Sequence, residues 1–169
     1  IDGLLHVSEM SRRRVSDRSG GGVEGHWACV GESRRAVALQ VGRGADPRLV
    51  VGIAPAGWVP GAVIAAILDK PFHSIIVSRR YQAEQVRQTP TVFGTVPTDV
   101  RNRRVLLVDE TCDTGSTLRL AVAAIVNAGA SDVRTAVGFR TGSYQPDFAG
   151  LETESTIVLP WDHEMNLGG

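Results

Sequence analysis

Residues 105–118 read VLLVDETCDTGSTL, and the fold of the chain turns on how that stretch is divided. Val105 to Val108 form an unbroken apolar run without polar alternation, which suits a parallel strand covered on both faces. The run ends in carboxylates, Asp109, Glu110 and then Asp113. Small hydroxyl and glycine positions follow, Thr114, Gly115, Ser116 and Thr117, the composition of a turn feeding a helix. The acids are therefore expected at the carboxyl end of a strand. In open α/β sheets that edge is where ligands bind, because loops there reach a substrate without disturbing the packed strands.

Working outward, the same alternation recurs. RLVVGIA (48–54), bounded by Pro47 and Pro55, reads as a strand, and VPGAVIAAILDK (59–70) as a helix with Pro60 in its first turn. FHSIIVS (72–78) is the next strand; Arg79 to Arg104, polar with prolines and β-branched residues, reads as a long loop or ribbon. After RVLLVD, STLRLAVAAIVNAG (116–129) is a helix ending on Gly129, DVRTAVGF (132–139) a further strand, and STIVLPWD (155–162) a last short one. Upstream, Trp27, Val30, Ala36, Val37, Leu39 and Val41 fall on one helical face, with Arg34 and Arg35 outside it. Residues 1–26 are polar, Arg-rich and Gly-rich, and are predicted to be a mobile arm, leaving 27–169 as one domain. Strands alternating with helices predict an α/β fold with a doubly wound parallel sheet.

The chain has 169 residues, 43% of them apolar and 21% charged, enough for one core of ordinary size. Its formal net charge is zero, so the overall balance predicts neither nucleic acid nor an anionic membrane as partner. No apolar stretch is long enough to span a bilayer, and no signal-peptide pattern is present. Cys29 and Cys112 lack a CxxC or metal-ligand spacing, which fits reduced thiols in a cytoplasmic protein. His6, His26, His73 and His163 show no zinc spacing. IDGLLHVSEMS at the N-terminus resembles one strand and turn of the S1 RNA-binding barrel. With the SRRR cluster it leaves one alternative reading, an RNA contact that weakens steeply with salt, beside the favoured one of a solvated arm.

A turn of Thr114, Gly115, Ser116 and Thr117 opening a helix offers backbone N–H groups, hydroxyls and the positive end of the helix dipole, which together suit a phosphate. It is not a nucleotide-binding GxxxxGK[ST] loop, and no GxGxxG follows the first strand. Adjacent carboxylates just before such a turn could accept hydrogen bonds from vicinal ribose hydroxyls or bind Mg²⁺. A ribose phosphate satisfies both features.

At this point VLLVDETCDTGSTL resembles the phosphoribosyl-pyrophosphate (PRPP) motif of type I phosphoribosyltransferases: four apolar positions, two acids, two variable positions, then D-T-G-x-T. The resemblance covers about 27–162 and is strongest to the hypoxanthine-guanine and xanthine-guanine members. VGIAPAGWVPGAVIAAIL is similar to their pyrophosphate loop, VSRRY to the start of their flexible loop, YQPDFAG to the segment after the base-binding strand, and LPWD to their C-terminal metal-side motif.

The resemblance implies a Mg²⁺-dependent transfer of phosphoribose from PRPP to a 6-oxopurine or purine-like base, in a homodimer or homotetramer, with a flexible loop and a small C-terminal hood. Asp109 and Glu110 would hold the ribose hydroxyls and Mg²⁺, Thr114 to Thr117 the 5′-phosphate, and Asp113 the proton of the purine nitrogen. Ala56 and Gly57 would belong to the pyrophosphate loop, Arg79, or Arg80 in its place, would contact pyrophosphate, and Tyr81 would sit in the loop that closes over PRPP and excludes water. Arg140 would read the 6-oxo group, Ile157 would cover the base, and Asp162 would contact a second Mg²⁺. Relatives carry a cation followed by two glycines where this chain has Pro55, Ala56 and Gly57, a Lys where it has Arg140, and an aromatic near Thr156 and Ile157. A second reading is therefore a PRPP-binding regulator without turnover. Asp113 speaks against it, since a sensor needs no proton-handling acid. Cys112 occupies a variable position and reads as a small filler.

Overall fold

The computed structural model describes residues 23–81 and 85–153. Its centre is a sheet of six strands, β1 Leu49–Ala54, β2 Phe72–Tyr81, β3 Gln85–Phe93, β4 Arg104–Cys112, β5 Asp132–Arg140 and β6 Phe148–Glu152, in the order β3-β2-β1-β4-β5-β6. Every neighbouring pair is parallel except β2 and β3, which run antiparallel. Three α-helices are described, α1 Val23–Gly44, α2 Trp58–Leu68 and α3 Ser116–Asn127. None of them is long and apolar enough to cross a membrane.

The unbroken apolar runs follow from this layering. Along β1 and β4, Leu49, Val51, Val105 and Leu107 pack with Leu118, Ala121 and Ile125 of α3. The alternate residues Val50, Leu106 and Val108 pack on the other face with Val37, Ala38 and Val41 of α1 and Ile64 and Ala65 of α2. A strand buried on both faces has no polar alternation to show, which is why VLLV reads as it does. The doubly wound α/β fold is therefore as expected, and Gly129, with φ +98, follows the end of α3 in the left-handed region. The strand order reverses between β1 and β4, so their carboxyl ends frame a crevice, the usual place for a ligand in such sheets.

Several expectations need correction. α1 starts at Val23, not Trp27, so the segment assigned to a mobile arm contributes its last residues to a helix; the glycine run Gly20 to Gly22, poor in helix propensity, lies just upstream. Arg34 is buried, although it was placed outside the apolar face, while Leu39 is half exposed. The segment after Ser78 is the ribbon rather than the loop: β2 continues to Tyr81 and β3 returns along it. Pro90 is tolerated in β3 because an edge strand has one row of unpaired amides. β6 was not anticipated; Phe148 and Ala149 pair with Ala136 and Val137. The last predicted strand (155–162), with Ile157, Asp162 and the hood, lies outside the described residues, as do residues 1–22.

Candidate active site

Because β1, β2, β4 and β5 are parallel, their carboxyl ends share one edge of the sheet. That edge brings together the Ala56–Gly57 loop after β1, the backbone of Arg79, Arg80 and Tyr81 at the end of β2, the 109–117 segment, and Arg140 at the end of β5. A cleft of ≈ 270 Å³ opens over β4 and the start of α3, and every residue from Asp109 to Leu118 lines it except Glu110.

The exception follows from strand alternation. Asp109 projects to the same side as Val105 and Leu107, and Glu110 to the opposite one. Glu110 is 0% exposed, and its Oε2 accepts a hydrogen bond from Arg34 Nη2 of α1 at 3.1 Å. Gly138 on β5 leaves room for it, since a Cβ there would lie 3.2 Å from Glu110 Oε1. Glu110 was expected beside Asp109 on the ribose. Here its carboxylate is part of the α1 interface instead, because a buried carboxylate is tolerable only with a charged partner. Asp109 stays on the cleft, is 8% exposed, and accepts the Glu110 N–H at 2.8 Å through Oδ1. Burial, reinforced by the charge of Glu110, pushes the Asp109 carboxyl up to about 7 against the opposing pull of that N–H. A carboxylate held this way gains from any cation brought into the cleft.

Asp113 is exposed at the start of the turn. The Cα of Gly142 packs against its carboxylate, so that a Cβ at 142 would lie 1.9 Å from Oδ1. Gly115, at the N-cap of α3, has φ +75 and no side-chain cap, which only glycine adopts without strain. The hydroxyls of Thr114 and Ser116 are 3.0 Å apart and hydrogen-bonded. Cys112 lies beneath the turn; burial, with the charge of Asp109, pushes its thiol up to about 11, so it is no nucleophile at neutral pH.

The loop after β5 folds over this turn. Thr141 N–H donates to Cys112 O at 2.8 Å and Tyr144 N–H to Asp113 O at 3.2 Å. The Tyr144 ring covers Gly115, and Arg119 of α3 lies 4.9 Å from the ring centroid while donating to Thr114 O at 3.0 Å. Neither Tyr144 nor Arg119 was singled out from sequence, because nothing local links position 144 to position 115. Arg140, expected as a base reader, donates to Gly142 O at 3.1 Å and is ion-paired with Glu152 of β6. Asp147 pairs with Arg134 at 3.0 Å and accepts the Thr135 N–H and hydroxyl, both at 2.8 Å.

In the loop after β1, Gly57 N–H donates to Ile53 O at 2.7 Å and Trp58 N–H to Pro55 O at 3.3 Å. A Cβ at Gly57 would lie 2.5 Å from Val108 O, so the loop rests on β4 directly before Asp109. Pro55 has no N–H, and two further amides of the loop are spent internally, which leaves it few donors for an anion.

A family model described as phosphoribosyl transferase domain matches residues 34–164. The chain is 34% identical over 101 residues to the adenine phosphoribosyltransferase of Nocardia farcinica, a match covering 54% of this chain and 52% of that protein, so it spans about half the length of that relative. It is 29% identical over 116 residues to the xanthine-guanine phosphoribosyltransferase of Nitratidesulfovibrio vulgaris, 69% of each chain. The crystal structure of a purine phosphoribosyltransferase from Pyrococcus horikoshii Ot3 superposes with a TM-score of 0.70 at 27% identity, over 80% of this chain and 91% of that one.

Proposed function

Since the chain belongs to the phosphoribosyl transferase domain family, whose named relatives here are enzymes, we propose that it transfers phosphoribose from PRPP to a nitrogen of a purine or purine-like base and releases pyrophosphate. The observation that carries this reading is the cleft over β4 and α3, where a buried carboxylate, an exposed one and a hydroxyl-lined helix N-terminus adjoin. The turn of Thr114 to Thr117 takes the 5′-phosphate on N–H groups, hydroxyls and the helix dipole. Asp109 accepts hydrogen bonds from the ribose hydroxyls. As the base nitrogen attacks the anomeric carbon and the bond to the pyrophosphate oxygen breaks, Asp113 accepts the proton that the base gives up.

The donor set fits Mg²⁺, which commonly takes one or two carboxylates together with substrate oxygens and water. Asp109 is desolvated with no cation paired to it among the described residues, and Asp162 is proposed as a further ligand. When bound, the ion would offset the charge gathering on the departing pyrophosphate. Arg79 and Arg80 are proposed for the same leaving group and Tyr81 for the covering loop. The base is left open between amino and oxo purines, because both kinds of name occur among the relatives. Arg140, bound to Glu152, presents an acid beside a cation, and that pair suits a base edge carrying a donor next to an acceptor.

One observation favours a second reading, a PRPP-binding regulator without turnover: the Pro55–Gly57 loop lacks a cation and has spent its Gly57 and Trp58 amides. Incubation with PRPP, Mg²⁺ and adenine, guanine, hypoxanthine or xanthine separately, with pyrophosphate release as readout, decides between them. Turnover that an Asp113→Asn variant loses supports the transferase. PRPP binding without release for any base would leave the regulator.

A further inference from the structure

The turn proposed for the 5′-phosphate does little to hold itself. Gly115 caps α3 without a side chain; the Thr114 and Ser116 hydroxyls hydrogen-bond to each other at 3.0 Å, but the cap-like contact from Ser116 N–H to Thr114 Oγ1 is stretched to 3.5 Å. The remaining contacts that fix the turn come from outside it. Arg119, in the first turn of α3, reaches back to hold the Thr114 carbonyl at 3.0 Å. Because a trans peptide is planar, pinning that oxygen also fixes the opposite-pointing N–H of Gly115. The Tyr144 ring then closes the far side: an added Cβ on Gly115 would meet it at 2.2 Å, so ring and Cα are in direct contact. Arg119 in turn lies 4.9 Å from the ring centroid, within cation–π range, and the Tyr144 N–H is bound to Asp113 O at 3.2 Å. Guanidinium, ring and backbone thus form one bracket around residues 113–115.

Resting on the proposed function, we infer that Tyr144 and Arg119 are positioning residues for PRPP: they hold the 5′-phosphate turn in its binding shape before substrate arrives, acting through Thr114 and Gly115 rather than on the phosphate. A preformed anion turn avoids ordering its amides at the moment of binding, which is where preorganisation gains affinity. The bracket also joins the loop after β5 to the PRPP side of the cleft, since Tyr144 belongs to the loop that Arg140 and Gly142 anchor.

The test uses Arg119→Ala, Arg119→Lys, Tyr144→Ala and Tyr144→Phe in the full chain, with ribose 5-phosphate and Mg²⁺·PRPP as calorimetric probes and initial rates with whichever base the wild type accepts. Arg119→Ala and Tyr144→Ala are each expected to weaken ribose 5-phosphate binding and raise the KM for PRPP about tenfold, with kcat and the KM for the base within about twofold. Tyr144→Phe keeps the ring and should stay within twofold of wild type. Arg119→Lys should recover only part of the loss, because an ammonium cannot both span the ring and donate in a planar fork. The double alanine variant should lose little more than either single one, the mark of two residues acting as a unit. Unchanged PRPP affinity in Arg119→Ala, or a kcat loss with KM intact, overturns the inference while leaving the proposed function standing. If the wild type binds neither ribose 5-phosphate nor PRPP, both fall together. Should Tyr144→Ala fail to fold, Arg119→Ala, at an exposed helix position, and Tyr144→Phe still decide.

Discussion

Replacing Asp109 by asparagine is expected to stabilise the free protein above neutral pH, even though the same change removes a proposed ligand for ribose and metal. The Asp109 carboxyl is 8% exposed and pushed from 3.8 up to about 7, mainly by burial. In the unfolded chain the group ionises near its ordinary value, so between about pH 4 and 7 the folded state holds a proton that the unfolded state has released. Stability from this group therefore falls as pH rises through that window and is flat above it. A shift of roughly three units, at about 1.4 kcal/mol each, puts the full cost of ionising Asp109 on the order of 4 kcal/mol. Asparagine keeps the oxygen that accepts the Glu110 N–H and removes the charge. Urea melts of both proteins from pH 4.5 to 8.5, without PRPP or Mg²⁺, should show the variant gaining on the wild type as pH rises, by at least about 2 kcal/mol at pH 8. Taking the difference cancels the titration of groups that both proteins share. A variant that is equally stable or weaker at pH 8, or a difference independent of pH, would refute the claim that burial of the Asp109 charge outweighs the hydrogen bond it accepts. Saturating Mg²⁺·PRPP should reverse the order, because only the wild type carries the charge that the cation needs.

The remaining predictions concern the cleft and its supports. Gly142→Ala puts a methyl 1.9 Å from Asp113 Oδ1 and should lower kcat about 10- to 100-fold with little change in the KM for PRPP, as read from initial rates. Arg34→Met removes the guanidinium that holds the buried Glu110 carboxylate at 3.1 Å, and should cost about 3 kcal/mol in urea denaturation at pH 7. Cys112 should resist iodoacetamide at pH 8 over times that fully label an ordinary exposed thiol, followed by mass spectrometry of its peptide, and should become reactive in urea.

The parts of the molecule legible in the sequence are those fixed by local pattern. VLLV announces a doubly covered strand, Thr114 to Thr117 a helix start, and Gly129 a helix end, because each depends on side chains within a few residues. The surroundings of Glu110 escaped the sequence for a related reason: the pair Asp109-Glu110 looks like one motif, yet alternation along a strand sends neighbours to opposite faces, and only the position of α1 shows that Arg34 waits there. The same unseen partner explains why Arg34 was read as an outward residue. β6 escaped notice because FAGLE is short, contains a glycine and is strand-like only beside β5. The contacts of Tyr144 and Arg140 are set by how one loop lies on another, which no periodicity records.

The pairing of β1 with β4 has a kinetic consequence. Leu49 lies beside Val105, so the middle of the sheet cannot close until α2 and the whole β2–β3 ribbon have been made. The ribbon itself is local and can zip within microseconds, whereas the central pairing must first overcome the entropy of a long chain closure. During synthesis β1 can therefore pair with β2 while its other neighbour, β4, does not yet exist. That pairing also sets the Gly57 loop against the strand carrying Asp109, so the cleft exists only once the long closure between β1 and β4 has been made.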